Sequence, residues 1–422
     1  VTYNEDSKLG AIVYSYTGNK KALFSSINAY KKLDNYDILP DGVNSSSEKT
    51  CGNESYRTHE SCDISDFTWS VGYLLEATGD AKYADWIEKA CFNALPGAMT
   101  EYFTAIQYLS CVNQVICARN STHTDPWQNT PRMAYQPHHY PECCVGNIGR
   151  AMPNYVMRMY HRTKNGIAVS LYGDSVFEDE NMRVEQSGQY PFSDTVTLNV
   201  NVKNNEENEI KLRIPSWSKG YELKVNGNES DSDLINGYVI LNVRDEAVIE
   251  IRFFKAFMSH KSADGGVYYT YGPFLLSLKI KEKRETDTEE VRSTKDFPAY
   301  NIYPDSEWRY AVNGSEMPEI IFNEVRENPF WDGAPFEIKI KAKRLNNWEL
   351  VRLTDKNDGY SGDEGIDKKQ IECGAVEIKD DIVLTPRLPS AEFTKENIGS
   401  DEEITLIPYG CTNIRLTVFP KY

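Results

Sequence analysis

Two short stretches carry side chains whose types and spacing could do chemistry. Residues 48–62 read EKTCGNESYRTHESC and offer Glu48, Glu60 and Cys62, while residues 139–144 read HYPECC and offer Cys143 beside Cys144. Adjacent thiols rarely bond to each other, because the small ring strains disulfide geometry. Sulfur and carboxylate together suggest zinc, which accepts both in tetrahedral geometry, and three Cys with one Glu would complete its shell. The residues alone leave another reading open. Cys62 would then open a helix as a small buried residue, Glu60 would be a surface carboxylate, and the double cysteine would be chance packing. The C-x-x-C spacing of the common zinc motifs is absent.

The elements that must position these groups follow from hydrophobic periodicity. In CDISDFTWSVGYLLEATGD, Ile64, Phe67, Val71, Leu74 and Leu75 fall on one face, which predicts an amphipathic helix capped by Asp63 or Ser65 and stopped at Gly79. A second helical pattern, KYADWIEKACFNAL, follows at once. The same arrangement occurs earlier, where AIVYSYTGN breaks at Gly18 and KKALFSSINAYKKL resumes. Repeated helical pairs suggest stacked hairpins in a solenoid or a closed α/α toroid. A third pattern, IGRAMPNYVMRMYH, closes the helical part. After Gly166 the period switches to two, in runs such as TVTLNVNV, YVILNV and AVIEIRF separated by polar clusters, which read as β-sandwiches. The expected organisation is a helical portion over 1–163, a β-sandwich over 164–262 and a second sandwich over 263–422. The acidic run KRETDTEEVRSTKD reads as a solvated loop within the last.

Composition bounds the partners. The 422 residues are 40% hydrophobic and 26% charged, with a formal charge of −17. That length suits two or three domains, and that charge repels nucleic acid and anionic membranes, so neither is an expected partner. A neutral partner such as a sugar fits better, and a homodimer is compatible with it. No run of apolar residues is long enough for a membrane span, and VTYNEDSKLG lacks the blocks of a secretory signal. Nine scattered cysteines are unlike a secreted disulfide framework and point to reduced thiols in a cytoplasm.

HESCDISDFTWSVGYLLEATGDAKYADWIEKACFNAL, followed by ECCVGNIGRAMPNYVMRMY, resembles the β-L-arabinofuranosidases of glycoside hydrolase family 127 and its relatives. The likeness continues through LRIPSWSKG, YTYGPFLLSLKI, Phe330-Trp331-Asp332-Gly333 and LIPYGCTNIRLTVF, nearly the whole chain. It implies a catalytic (α/α)6 barrel followed by β-sandwich domains. It also implies one zinc on Glu60, Cys62, Cys143 and Cys144, Cys143 as nucleophile and Glu48 as general acid/base, with Glu54 as the rival for that role. Two departures matter. The chain starts at VTYNEDSKLG, inside the expected barrel, so that the barrel reads as partial. Val145-Gly146-Asn147 replaces the Pro-Pro-Asn of the best-known members, which suggests a different sugar.

The chemistry agrees with the resemblance. Retaining hydrolysis of a glycoside needs an attacker at the anomeric carbon and an acid that later activates water. A thiol attacker must be ionised and tempered, and zinc coordination does both. His139 and Tyr108 are candidate sugar contacts, whereas His59 reads as structural, and Asn147 and Arg150 read as supports for the next helix. Two other function classes remain in view: a non-catalytic carbohydrate-binding or remnant protein braced by zinc, and a polysaccharide lyase, which the acidic balance disfavours. Glu48 separates the first of these from an enzyme, because a structural zinc has no use for a further carboxylate aimed at the pocket.

Overall fold

The structure, a computed structural model, describes residues 1–46, 50–122, 132–139, 142–204, 206–350, 352–353 and 382–422. It is a mixed α and β protein with few helices and many strands. Helices α1 (Thr2–Ser7), α2 (Leu9–Thr17) and α3 (Lys20–Tyr36) come first, then α4 (Ser61–Thr78) and α5 (Ala81–Lys89). Both expected helix stops are present: Gly18 and Gly79 close α2 and α4 at φ 68° and 63°, left-handed positions that glycine occupies without a Cβ penalty. Asn19 and Asp80 then cap α3 and α5 through their side chains. Each pair is a tight helical hairpin.

Helix α4 differs from its expectation. Its polar residues Ser61, Asp63, Ser65, Asp66, Thr68 and Ser70 are buried along with the apolar stripe, so it is a central helix, not an amphipathic surface one. Burial of polar groups is tolerated where each has a partner. Ser65 donates to the Asn147 carbonyl at 2.7 Å, Thr68 to that of Ile64 at 2.9 Å, and Asp66 accepts from Arg150 at 2.6 Å. Neither expected cap acts: the N-cap position falls on Glu60, whose side chain makes no capping bond, while Asp63 accepts from Asn4 at 3.1 Å. Gly72 is required on α4 for a different reason, since a Cβ there would lie 1.7 Å from the Arg158 guanidinium.

The third helical pattern divides. After the one-turn α6 (Leu95–Gly97), the chain runs through short strands to α7 (Cys143–Ile148) and α8 (Ala151–Met157), and Tyr160–Arg162 is already a strand. Pro153 occupies the first turn of α8, where its missing N–H is harmless, so the break falls at Gly149-Arg150.

From Tyr160 two sheets form. One runs Leu234–Ile235, Tyr238–Val243, Asn208–Arg213, Gly166–Val169, Tyr160–Arg162; the other runs Asn228–Glu229, Tyr221–Val225, Glu246–Phe253, Thr195–Val202, Met182–Ser187, Ser175–Glu178. Strict alternation buries Val196, Leu198, Val200 and Val202 opposite Ala247, Ile249, Ile251 and Phe253, the half-buried pattern read from the sequence. These residues share one continuous core with Phe67, Val71 and Ile87 of the helices. Arg213, fully buried, crosses that junction to Asp85 and Glu88 of α5, and Glu88 also accepts from Tyr190 and Trp217. The later part of the chain is organised on a seven-stranded sheet in which Phe336–Leu345 pairs with the long strand Ile398–Pro408. Its end returns to the first portion: Arg415–Leu416 pairs with Asn113–Gln114, and buried Arg415 donates to the Gly97 carbonyl and stacks on Tyr409 at 4.2 Å. The helical part is therefore clamped from both β portions. Among the described residues no helix is long and apolar enough to cross a membrane.

Candidate active site and metal centre

Three short elements converge on the sulfurs. Strand β1 (Thr58–Glu60) pairs antiparallel with β2 (Leu109–Cys111), placing His59 opposite Ser110 and Glu60 opposite Leu109. The chain turns from Glu60 directly into α4, so Glu60 and Cys62 stand at one junction. Helix α7 begins at Cys143 and packs on α4. The consequence is a cluster in which ligand atoms of Glu60, Cys62, Cys143 and Cys144 all lie within 4.8 Å of one another. Zinc–sulfur bonds of about 2.3 Å at a tetrahedral angle put sulfurs about 3.8 Å apart. Cys62 and Cys144 Sγ stand 3.2 Å apart, far beyond the roughly 2 Å of a disulfide. The donor set, three sulfurs and one carboxylate on preformed elements, fits a single zinc ion.

The four donors are not equivalent. Glu60, Cys62 and Cys144 are buried, whereas Cys143 is exposed. The Tyr108 hydroxyl lies 3.5 Å from Cys143 Sγ. The Cys143 thiol is lowered to about 5, first by a hydrogen bond from Cys144 and, against the upward push of burial, by others from Tyr108 and Cys62. Burial first, then hydrogen bonds with Cys143 and Cys62, drives Cys144 far upward. The two shifts are halves of one effect: like charges this close cannot both form unaided, and the exposed sulfur takes the first.

The supporting residues are arranged behind this face. Tyr108 is 1% exposed and His139 3%, with their rings edge to face at 6.0 Å and Arg132 over the Tyr108 ring at 4.5 Å. His139 Nε2 donates to the Ile106 carbonyl at 2.8 Å, so the proton sits on Nε2. Of the two expected sugar contacts, Tyr108 reaches the cluster and His139 stands behind it. His138 lies at the surface between Glu142 and Arg292. Asn147 differs from its expected role: its Nδ2 donates to Cys62 Sγ at 3.2 Å, the kind of outer contact that orients a metal-binding thiolate. Its place on α7, one turn after the cysteine pair, is the only sequence signal for this. Arg150 reaches back to Asp66 on α4. His59 is buried against Asp41 at 2.8 Å, as its structural reading required. Glu48 lies outside the described residues, and Glu54 is engaged by Arg57 at 3.0 Å.

Burial lowers His139 to about 4 from an ordinary 6.5. The unfolded chain therefore takes up the proton first as pH falls. Stability present above pH 6.5 is lost through pH 4, by up to about 3 kcal/mol for this group. Denaturant titrations at closely spaced pH values should show that slope in the native protein and a flatter one in His139→Gln, which keeps a donor for Ile106 but cannot titrate. An unchanged slope in the variant would assign the acid sensitivity elsewhere.

Residues 13–156 match the family described as β-L-arabinofuranosidase, GH127 catalytic domain, and residues 166–253 match the GH127 middle domain of the same enzymes. The chain belongs to glycoside hydrolase family 127. The cysteine cluster thus lies within the catalytic-domain match. Among solved structures, the GH127 chain resembles a β-L-arabinofuranosidase of the family from Geobacillus stearothermophilus T6, at 17% identity and a TM-score of 0.68 over 98% of this chain and 58% of that one. A protein described as a glycoside hydrolase gives 15% identity and a TM-score of 0.68 over 99% and 65%. A further GH127 β-arabinofuranosidase gives 18% and 0.66 over 99% and 59%. At these identities the likeness establishes the shared fold. The chain spans about three fifths of the length of these structures. No curated protein matched the sequence.

Proposed function

We propose that this GH127 chain carries the zinc and nucleophile centre of a retaining glycoside hydrolase acting on β-L-arabinofuranosides or related furanosides. The observation that carries the reading is the asymmetry of the cluster: three buried donors fix a fourth, Cys143, that alone faces solvent beside the Tyr108 hydroxyl. In this reading the Cys143 sulfur attacks the anomeric carbon while Glu48 protonates the departing oxygen, and Glu48 then takes a proton from the water that releases the sugar. Tyr108 donates to the sulfur, and His139 and Arg132 hold the Tyr108 ring in place. Zinc on Glu60, Cys62, Cys143 and Cys144 would keep the thiols deprotonated and temper the attacking sulfur.

The same reading takes the helical hairpins as part of an (α/α)6 barrel over 1–163, followed by β-sandwich domains over 164–262 and 263–422. The nine scattered cysteines, unlike a disulfide framework, favour a reducing compartment such as the cytoplasm. A structural zinc in a non-catalytic carbohydrate-binding protein is favoured by one observation, the completeness of the four-donor shell. Intact-mass analysis after incubation with a panel of activated aryl furanosides separates the two. One pentose adduct mapping to Cys143 is the expected result; turnover with no adduct on any cysteine overturns the thiolate mechanism.

A further inference from the structure

Tyr102 and Phe103 sit side by side on the turn that follows α6, and both hold a left-handed backbone at φ 59°. Bulky L residues seldom take that conformation. Their side chains are 63% and 62% exposed, so core packing does not compensate the strain. Backbone strain of this kind persists mainly where function uses it. Phe103 meets Trp331 edge to face at 5.0 Å; Trp331 adjoins Phe330 at 6.4 Å, and Phe330 adjoins Phe192 at 5.4 Å. One row of rings is thus assembled from three distant stretches of chain.

Both ends of the row are informative. Just after Phe103, the Ile106 carbonyl accepts from His139, whose ring meets Tyr108 edge to face, and Tyr108 in turn reaches Cys143. At the other end Phe192 lines a groove of about 440 Å³ with Asp174, Gln189, Arg326 and Glu327, and Gln189 too is left-handed, at φ 56°. The Phe330-Trp331-Asp332-Gly333 stretch is fixed in place: Asp332 accepts from the Asn328 amide at 3.1 Å through its side chain and from Arg326 at 3.0 Å through its carbonyl.

We propose that Tyr102, Phe103 and Trp331, with the groove at Gln189 and Arg326, form a subsite for a neutral oligosaccharide, beyond the sugar that meets Cys143. Sugar rings present C–H faces that lie on aromatic surfaces, and their hydroxyls pair with carboxylate, amide and guanidinium groups, the two kinds of surface this row joins. The formal charge of −17 disfavours polyanionic chains. The inference rests on the glycosidase reading for the class of ligand, but binding tests it without turnover.

Calorimetric titration of the wild-type chain with arabinofuranose tetrasaccharide and with free arabinose is the test. Phe103→Ala and Trp331→Ala are expected to weaken tetrasaccharide binding about tenfold or more while leaving arabinose unaffected, and Phe103→Tyr is expected to restore it. Tyr102→Gly relieves the strained position; it should weaken tetrasaccharide binding without lowering Tm, a pairing that a merely structural turn would not give. Wild-type affinity in the alanine variants, equal loss for both ligands, or no tetrasaccharide binding by the wild type overturns the subsite. Retained tetrasaccharide binding, together with turnover of an activated furanoside that leaves no adduct on Cys143, would instead sink the thiolate mechanism and leave the subsite standing.

Discussion

Cys143→Ser is expected to lower turnover of every glycoside, activated or not, by about 10⁴-fold or more, the scale on which loss of an attacking group is felt. A serine hydroxyl stays protonated near neutral pH, where a cysteine thiol ionises far more readily, so it attacks far more weakly. Glu48→Gln should fail differently. It slows departure of a poor leaving group and activation of water, but leaves attack on an activated aryl glycoside in place, and a small anion such as azide should partly restore turnover. Because Cys143 also belongs to the donor cluster, the measurement needs circular dichroism and metal content on the same sample. A folded Cys143→Ser protein with wild-type turnover excludes the thiolate mechanism. Azide rescue in Glu54→Gln in place of Glu48→Gln would move the acid/base role; Glu54 already engages Arg57.

The parts of this site that were legible in the sequence are those governed by residue type and short spacing. The types of Glu60, Cys62, Cys143 and Cys144 suggest zinc, but without C-x-x-C spacing they leave chance packing open, and it is the family resemblance that joins the four into one shell. The helix stops at Gly18 and Gly79 were legible because a left-handed C-terminal residue is a local requirement. The strands Met182–Ser187, Thr195–Val202 and Glu246–Phe253 were legible because one face of each is wet, which keeps the alternation clean. What failed depends on distant partners. Helix α4 reads as amphipathic because its Ser, Thr and Asp residues look like a solvent face, yet their partners come from α7, Arg150 and the segment near Asn4. Asn147 reads as local support, while its partner, Cys62, lies on another helix. The aromatic row stayed invisible for the same reason, since Phe103, Trp331 and Phe192 share no periodicity. The left-handed turn that presents Tyr102 and Phe103 lacks the glycine or asparagine that would have flagged it.

Loss of the proposed zinc is expected to give the second large effect. The native protein should contain about one zinc per chain, and Cys62→Ser should reduce that several-fold and destabilise the helical part by about 3–5 kcal/mol, on the order of ten degrees in Tm. Cys62 is buried between two helices that meet through few other polar links, chiefly Ser65 to the Asn147 carbonyl and Arg150 to Asp66. A metal bound at the start of each helix would fix their separation in the folded chain but would have no preformed site in the unfolded one. Cavity formation cannot mimic this result, because Cys→Ser nearly conserves volume. Chelation supplies the control: a strong chelator should lower the wild-type Tm toward that of Cys62→Ser and leave the variant almost unchanged. Asn147→Ala should fall between them, with zinc affinity reduced about 10- to 100-fold, as loss of an outer hydrogen bond to a ligand usually costs. If wild type and Cys62→Ser lose equal stability on chelation, the zinc is held elsewhere, and the convergence of Glu60, Cys62, Cys143 and Cys144 is only packing.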